Sequence, residues 1–423
     1  MTHDTPTFPG THPGARPQAR PEVRRDPHPD IGRGRRVLRA PRRPPASSVP
    51  PATCLYTPSA DPSGMGQHML DLAACLVERG ADVTLMAWPT GPGRRLLERA
   101  ATAGAAPVAL PHPRDPGFAA AIATHLRRRH VEVFHAHVGT GRENFDGARA
   151  ARAAGVPAVV QTLHLPWMLS ERRKRDPFFA AIADVDHLVT VSEAQRATYL
   201  RIGVPPELLT TVPNGVRPRG RGPGRAAARR ALGLDERRPV VMAVGRLTVM
   251  KGQRYLVDAL PHLLAQWPDL AVVVVGSGHL EAALRAQAEA LGVAHALHLV
   301  GHRSDARDLL DAADVFTLPS LHEGMPLAVM EAMDAGLPVV GTSVVGTAEI
   351  VEPGRTGELV RPRDAEALAE AIAGLLRDPD RRAAQGAEGR RRFAERFTAD
   401  EMTARTTEVY RSVLRGVGAD VAG

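Results

Sequence analysis

Short apolar runs, each stopped by a glycine- or proline-bearing turn and followed by an amphipathic helix, recur along this chain from Thr53 to Val360. Strands separated by helices pair in parallel, because the crossover helix carries the chain back over the sheet before the next strand begins. Runs such as Val240-Val-Met-Ala-Val244 and Leu270 to Val275 are apolar throughout, as expected of strands covered on both faces. A chain of 423 residues exceeds one compact core and fits two domains, so a ligand is expected in a cleft between them. The pattern is interrupted by a stretch rich in Arg, Gly, Pro and Ala and restarts at Pro239. The expected organisation is an Arg/Pro-rich disordered tail over 1–50, an α/β domain over 51–216, a linker over 217–238, a second α/β domain over 239–396 and a closing helix over 397–416.

In the first unit, Thr53-Cys-Leu-Tyr-Thr57 reads as a strand, then a turn carrying Gly64 and Gly66, then a helix from Gln67 to Arg79. Strand, glycine turn and helix form a phosphate-cradling arrangement, although a Gly-x-Gly before a helix is often only a tight turn. His68 falls in the first turn of that helix, facing either the cleft or solvent. Val131 to His137 reads as a strand with His135 and His137 on one face near its carboxyl end. A metal pair is conceivable there, against the plainer reading in which one packs and the other lines the cleft. His164 ends the next strand, where a neutral imidazole can exchange a hydrogen bond with a sugar hydroxyl. Glu171-Arg-Arg-Lys-Arg175 is a cationic cluster, read as a solvated helix face or as a contact for a phosphorylated or membrane-held acceptor. Ser192-Glu-Ala-Gln195 is a helix capping box, and Asn214-Gly215 reads as a turn breaking a short strand.

In the second unit the leading strand ends at Gly245-Arg246-Leu247, with Lys251-Gly252 at the start of the next helix. Arg246 and Lys251 offer a diphosphate two permanent cations. From Val315 to Glu331 an apolar strand runs into Glu323-Gly324-Met325 and then a helix with Pro326 in its first turn. Here a strand end delivers one carboxylate, a glycine admits a ligand to the backbone, helix amides face an anion, and Glu331 adds a second carboxylate within the helix. Such a set suits an anionic ligand carrying hydroxyls, as a nucleotide sugar does.

Taken together, Gly245-Arg246-Leu247 with Lys251-Gly252, Leu318-Pro319-Ser320 with Glu323-Gly324-x-Pro326, Glu331-Ala332-Met333, Gly336-x-Pro338-Val339-Val340 and Glu349-Ile350-Val351 closely resemble the family 4 glycosyltransferases. The resemblance covers about Thr53 to Leu414, and it is loose in the first half and specific in the second. It implies the GT-B fold, two Rossmann-like doubly wound domains facing across a cleft, and a retaining transfer of a hexose from a nucleotide sugar. UDP-sugars are favoured as donors, GDP-mannose is possible, and the acceptor is a small polar or lipid-linked molecule. By that matching Glu323 lies near the sugar and Glu331 on the ribose hydroxyls, Arg246 and Lys251 stabilise the departing diphosphate, and His164 lies against the donor sugar. Amides at Gly324, Met325 and Leu327, with Gly64 and Gly66, hold phosphate and sugar oxygens. The family's first loop reads Gly-Gly where this chain has Gly64-Met65-Gly66. No cofactor or metal is required, since the two cations do a metal's electrostatic work. The closing helix is expected to pack on the first domain. A nucleotide-sugar epimerase on the same fold is the alternative.

The basic pI of about 10.3 points toward nucleic acid only superficially. Residues 1–50 hold ten arginines against four acids and so carry +6 of the total +8, leaving +2 for the rest of the chain. A nucleic-acid partner is therefore not expected. No apolar run reaches the roughly 20 residues that span a bilayer, and the N-terminus lacks an apolar signal segment. A cytoplasmic protein, with peripheral membrane contact left open, is the expectation. Cys54 and Cys75 lack metal or disulfide spacing and read as small core residues.

Overall fold

The structure is a computed structural model that describes residues 49–61, 63–139, 146–166 and 175–421, with side chains to 416. Nearly all of the Arg/Pro-rich tail, and Glu171 to Lys174 of the cationic cluster, lie outside the described residues. The described residues belong to one compact unit.

Two parallel sheets organise them. The first comprises β1 (Thr53–Thr57), β2 (Val83–Ala87), β3 (Ala106–Ala109), β4 (Val133–Val138), β5 (Ala158–Leu163), β6 (His187–Thr190) and β7 (Leu209–Thr211), in the order β3-β2-β1-β4-β5-β6-β7. The second comprises β8 (Val240–Val244), β9 (Ala271–Val275), β10 (Leu297–Leu299), β11 (Val315–Leu318), β12 (Val339–Thr342) and β13 (Gly357–Val360), in the order β10-β9-β8-β11-β12-β13. Each is doubly wound, so the strand order reverses at β1/β4 and at β8/β11 and leaves a crevice at the carboxyl edge there. Alternate residues of β8 feed opposite cores. Val240 and Met242 pack with Phe316 and Met330, while Val241 and Ala243 pack with Leu256, Leu260 and Ile372.

The chain passes between the sheets twice, side by side. Val216 joins the two crossings by backbone hydrogen bonds, donating from N–H to Phe397 O at 3.0 Å and accepting at its carbonyl from Ala399 N–H at 2.9 Å. Gly215 is required there, because a Cβ would stand 2.1 Å from the Thr398 carbonyl oxygen. The last helix, Ala399–Val421, then lies on the first domain, where Met402 and Tyr410 join the core of Leu55, Met69 and Leu72.

Three expectations about local structure change. The 217–238 stretch contains a helix, Arg225–Leu232, closed by Gly233 in the left-handed conformation at φ 66. Its Arg229 is fully buried, held by Asp314 and by the carbonyls of Ala312, Asp235, Glu236 and Arg238. Composition suggested a linker because arginine is usually solvated; here one guanidinium has enough carbonyl partners to be buried. Secondly, Gly64 and Gly66 fall inside the first turn of the helix Ser63–Glu78, not in a turn ahead of it, which moves His68 to the second turn. Thirdly, Asn214-Gly215 does not break a strand, since β7 has already ended at Thr211 and the pair follows it on the way out of the first domain. No helix among the described residues is long and apolar enough to cross a membrane.

Candidate active site

At the β8/β11 crevice, the two loops that leave these strands are stitched together. Leu321 N–H donates to Met250 O at 2.7 Å, and Gly252, with φ +63, packs so closely that a Cβ would stand 2.0 Å from the Pro319 carbonyl oxygen. This brings Lys251 Nζ to 2.6 Å from Glu323 Oε1, an oxygen that also accepts from Ser320 Oγ at 2.6 Å. Glu323 is buried with 6% of its side chain exposed, and Lys251 shows 22%, so the lysine is the open member of the pair. Arg246 stands half exposed, 3.4 Å from Asp61 Oδ2 of the first domain, with its carbonyl held by Gln253 Nε2 at 2.8 Å. Leu327 opens the helix Leu327–Asp334, with Pro326 as its N-cap; no cap side chain bonds to the first amides. Glu331 lies on that helix 3.8 Å from Arg307 Nε. Burial pushes its carboxyl above the ordinary range, with Arg307 opposing.

The β1/β4 crevice faces this one, and its ring side chains are neutral. Gly324 touches it directly, since a Cβ on Gly324 would stand 1.8 Å from the His164 carbonyl oxygen. His164 Nε2 lies 3.1 Å from His137 Nδ1, and both imidazoles are pushed well below the usual histidine range, by burial first and by neighbouring imidazoles second. His68, pushed down to about 4 by burial, places Nδ1 2.9 Å from Asn214 Oδ1. Asn214 in turn donates from Nδ2 to the Met325 carbonyl at 2.8 Å, linking the histidines to the Glu323-Gly324-Met325 turn. Deeper in the helix that carries His68, Asp71 is buried and raised to about 6 by desolvation, with Gln67 donating to its Oδ1 at 2.9 Å.

The His135/His137 pair is separated by its partners. His135 sits between Tyr410 Oη of the last helix at 2.6 Å and Thr162 Oγ1 of β5 at 2.7 Å, so both its ring nitrogens are taken, whereas His137 turns toward His164. Two residues of this region escape a local reading of the sequence. Asn214 looks like turn chemistry, and only its crossing position makes it a bridge. Glu349, on the short helix Thr347–Ile350, accepts from Ala194 N–H at 2.7 Å and Glu193 N–H at 3.0 Å, so a carboxylate of the second domain caps the helix Glu193–Arg201 of the first. Of the expected site residues, Glu323, Lys251, Gly324, Met325 and His164 come together; Gly64 has open space around it, and Arg246 stands at the rim.

Comparison with known proteins agrees with this geometry. Residues 62–219 match the family profile Glycosyltransferase Family 4, and residues 224–392 match Glycosyl transferases group 1. An Escherichia coli UDP-Gal:alpha-D-GlcNAc-diphosphoundecaprenol alpha-1,3-galactosyltransferase is 30% identical over 60% of this chain and 68% of its own length. A GDP-mannose-dependent alpha-(1-6)-phosphatidylinositol monomannoside mannosyltransferase of Mycobacterium tuberculosis is 34% identical over 62% of this chain and 72% of its own. Other relatives align over less, as little as 46% of the length of a Corynebacterium urealyticum D-inositol 3-phosphate glycosyltransferase. Anabaena HepE, solved in complex with UDP, shares the fold, with a TM-score of 0.73 over 85% of this chain and 100% of its own at 23% identity.

Proposed function

The chain belongs to the group 1 glycosyl transferases of the GT-B fold, and from that premise we propose that it transfers a hexose, with retention, from a nucleotide sugar to a hydroxyl of a small polar or lipid-linked acceptor. The observation that carries the reading is the Lys251–Glu323 pair at 2.6 Å, set at one switch point and backed through Gly324 by His164 of the other. Breaking a glycosyl phosphate bond builds negative charge on the leaving diphosphate and positive charge on the sugar. Lys251 and Arg246 meet the first, with the amides of Gly324, Met325 and Leu327, and these fixed groups supply the largest share of transition-state stabilisation. The arriving diphosphate competes with Glu323 for the Lys251 ammonium and leaves Glu323 to face the sugar. His164, kept neutral by burial, exchanges a hydrogen bond with a sugar hydroxyl, and Glu331 takes the ribose hydroxyls.

The acceptor hydroxyl attacks from the leaving-group side and its proton passes to a phosphate oxygen. Glu323 is poorly placed as a covalent nucleophile, since its Oε1 is already shared by Ser320 and Lys251. The transfer runs without a metal, the two cations serving the leaving group. UDP-sugars are the favoured donors, consistent with the UDP held by HepE, and GDP-mannose is the second candidate, consistent with the mannosyltransferase relatives. Lipid-linked acceptors named for two of the three sequence relatives support a lipid acceptor and peripheral membrane contact here, while the inositol phosphate named for the third supports a small polar one.

A panel of UDP-, GDP- and ADP-sugars screened by thermal shift identifies the donor, because a ligand bound to the native state raises the melting temperature. The stabilising donor is then incubated with acceptors and with EDTA. No stabilisation by any nucleotide sugar would overturn the donor site, loss of transfer in EDTA would overturn metal independence, and a new sugar isomer formed from donor alone would establish the epimerase.

A further inference from the structure

Three imidazoles converge where the two crevices meet. His68, His137 and His164 each offer one nitrogen, and these atoms all lie within 4.8 Å of one another. Their hydrogen bonds decide what those nitrogens are. Asn214 donates from Nδ2 to the Met325 carbonyl, so its Oδ1 faces His68 as an acceptor and His68 Nδ1 carries the proton. His68 Nε2 is therefore a bare lone pair, buried and unpartnered among the described residues. His137 Nε2 is also buried and without a partner among the described residues, and it is the nitrogen that keeps the proton when Nδ1 of the same ring is the ligand. His137 Nδ1 and His164 Nε2 are 3.1 Å apart, close to the separation of about 3.4 Å expected for two nitrogens on one tetrahedral zinc.

We propose that His68, His137 and His164 form a binding site for one borderline divalent cation, of which zinc is the type, and that occupancy inhibits transfer by withdrawing His164 from the donor sugar. The chemistry selects this class of ion. Neutral imidazole suits zinc and its neighbours and disfavours magnesium or calcium, which seek oxygen. A sugar hydroxyl cannot reach the bare His68 Nε2, which is closed to solvent, whereas a bare ion can enter past the partly exposed His164. Burial holds all three rings in the neutral form that metals bind. Each ring keeps one N–H and gives the other nitrogen, so no ligand has to ionise. Asn214 supplies the outer partner that orients a ligating histidine. Side-chain shifts of roughly 1 Å bring the third nitrogen to bonding distance.

The inhibitory half of this inference rests on the proposed role of His164, and the binding half does not. The untagged full chain, stripped of metal, is titrated with zinc chloride against a chromophoric chelator. One zinc per chain is expected, weakened at least about tenfold by His68→Ala and by His137→Ala and unchanged by His262→Ala on the surface. X-ray absorption at the zinc edge of the unmutated chain is expected to show three imidazole nitrogens at about 2.0 Å, which keeps the test open if a variant fails to fold. A metal-free chain, or a zinc shell without imidazole, would overturn the site and leave a buried water as the occupant. Transfer assays with added zinc are expected to show competition with the nucleotide sugar. Stoichiometric zinc with undiminished transfer would overturn the inhibition and with it the placement of His164 on the sugar.

Discussion

The two crevices have the same origin and opposite character. Each lies where a doubly wound sheet reverses its strand order, yet the one at β8/β11 is built from ions, with Lys251, Arg246, Glu323 and Glu331, and the one at β1/β4 from neutral rings and glycines, with His68, His137, His164, Gly64 and Gly66. A glycosyl transfer needs this asymmetry. Fixed charge is most useful where charge grows, at the leaving diphosphate, while the sugar must be held by groups that do not compete for it as counterions. Burial enforces the division, because desolvation keeps the imidazoles uncharged.

The comparison breaks first, and most severely, at the charged crevice. Lys251→Ala is expected to lower kcat by about 10³-fold with the circular dichroism spectrum unchanged, whereas the same change at a neutral partner such as His137 costs much less; near-normal turnover in Lys251→Ala would remove the charged crevice from the chemistry. Glu331→Ala is expected to reduce kcat/KM by about 10²-fold, since a hydroxyl held by a carboxylate is worth roughly 1.5–3 kcal/mol, with part of the loss appearing as a raised KM for the donor.

The neutral crevice is broken by acid. His68, His135, His137, His164 and His187 are all depressed in the folded chain, His68 and His187 to about 4, so the unfolded chain takes up protons first as pH falls below 6.5 and stability drops. Asp71, raised to about 6, and Glu331, also raised, act in the opposite direction as pH falls and offset only part of it. The urea midpoint is therefore expected to be lower at pH 5 than at pH 7.5; an equal or higher midpoint would mean that the carboxylates govern the interface. The smallest effect is assigned to the link between the domains. Glu349→Ala leaves the Glu193 and Ala194 amides without their cap and is expected to cost about 1 kcal/mol, read as a lower melting temperature, while Glu349→Gln retains part of it.

The legibility of this chain follows the same division. The charged crevice is readable because each of its parts is local: Glu323, Gly324 and Pro326 fall in one strand-turn-helix, and Arg246 with Lys251 in another. The neutral crevice is assembled from the first helix, β4, β5 and the crossing at Asn214, so no single stretch announces it. His135 and His137 illustrate the limit. Two-residue spacing places both on one face, but Tyr410, which is 275 residues away from His135, takes one of them and leaves the other for His164. Arg229 shows it again, since its burial depends on Asp314 across the sheet, and composition saw only another arginine.

The sequence by itself determined the class of fold, two parallel α/β sheets, and the positions of the strand ends that bear charge, because hydrophobic period and turn chemistry are properties of neighbours along the chain. The meeting of those ends was decided only in three dimensions: the Gly324 backbone against His164, the Asn214 bridge, and the Glu349 carboxylate on a helix more than a hundred residues earlier. Such contacts depend on how two independently patterned sheets pack, and packing is a property of the whole surface, which no local spacing encodes.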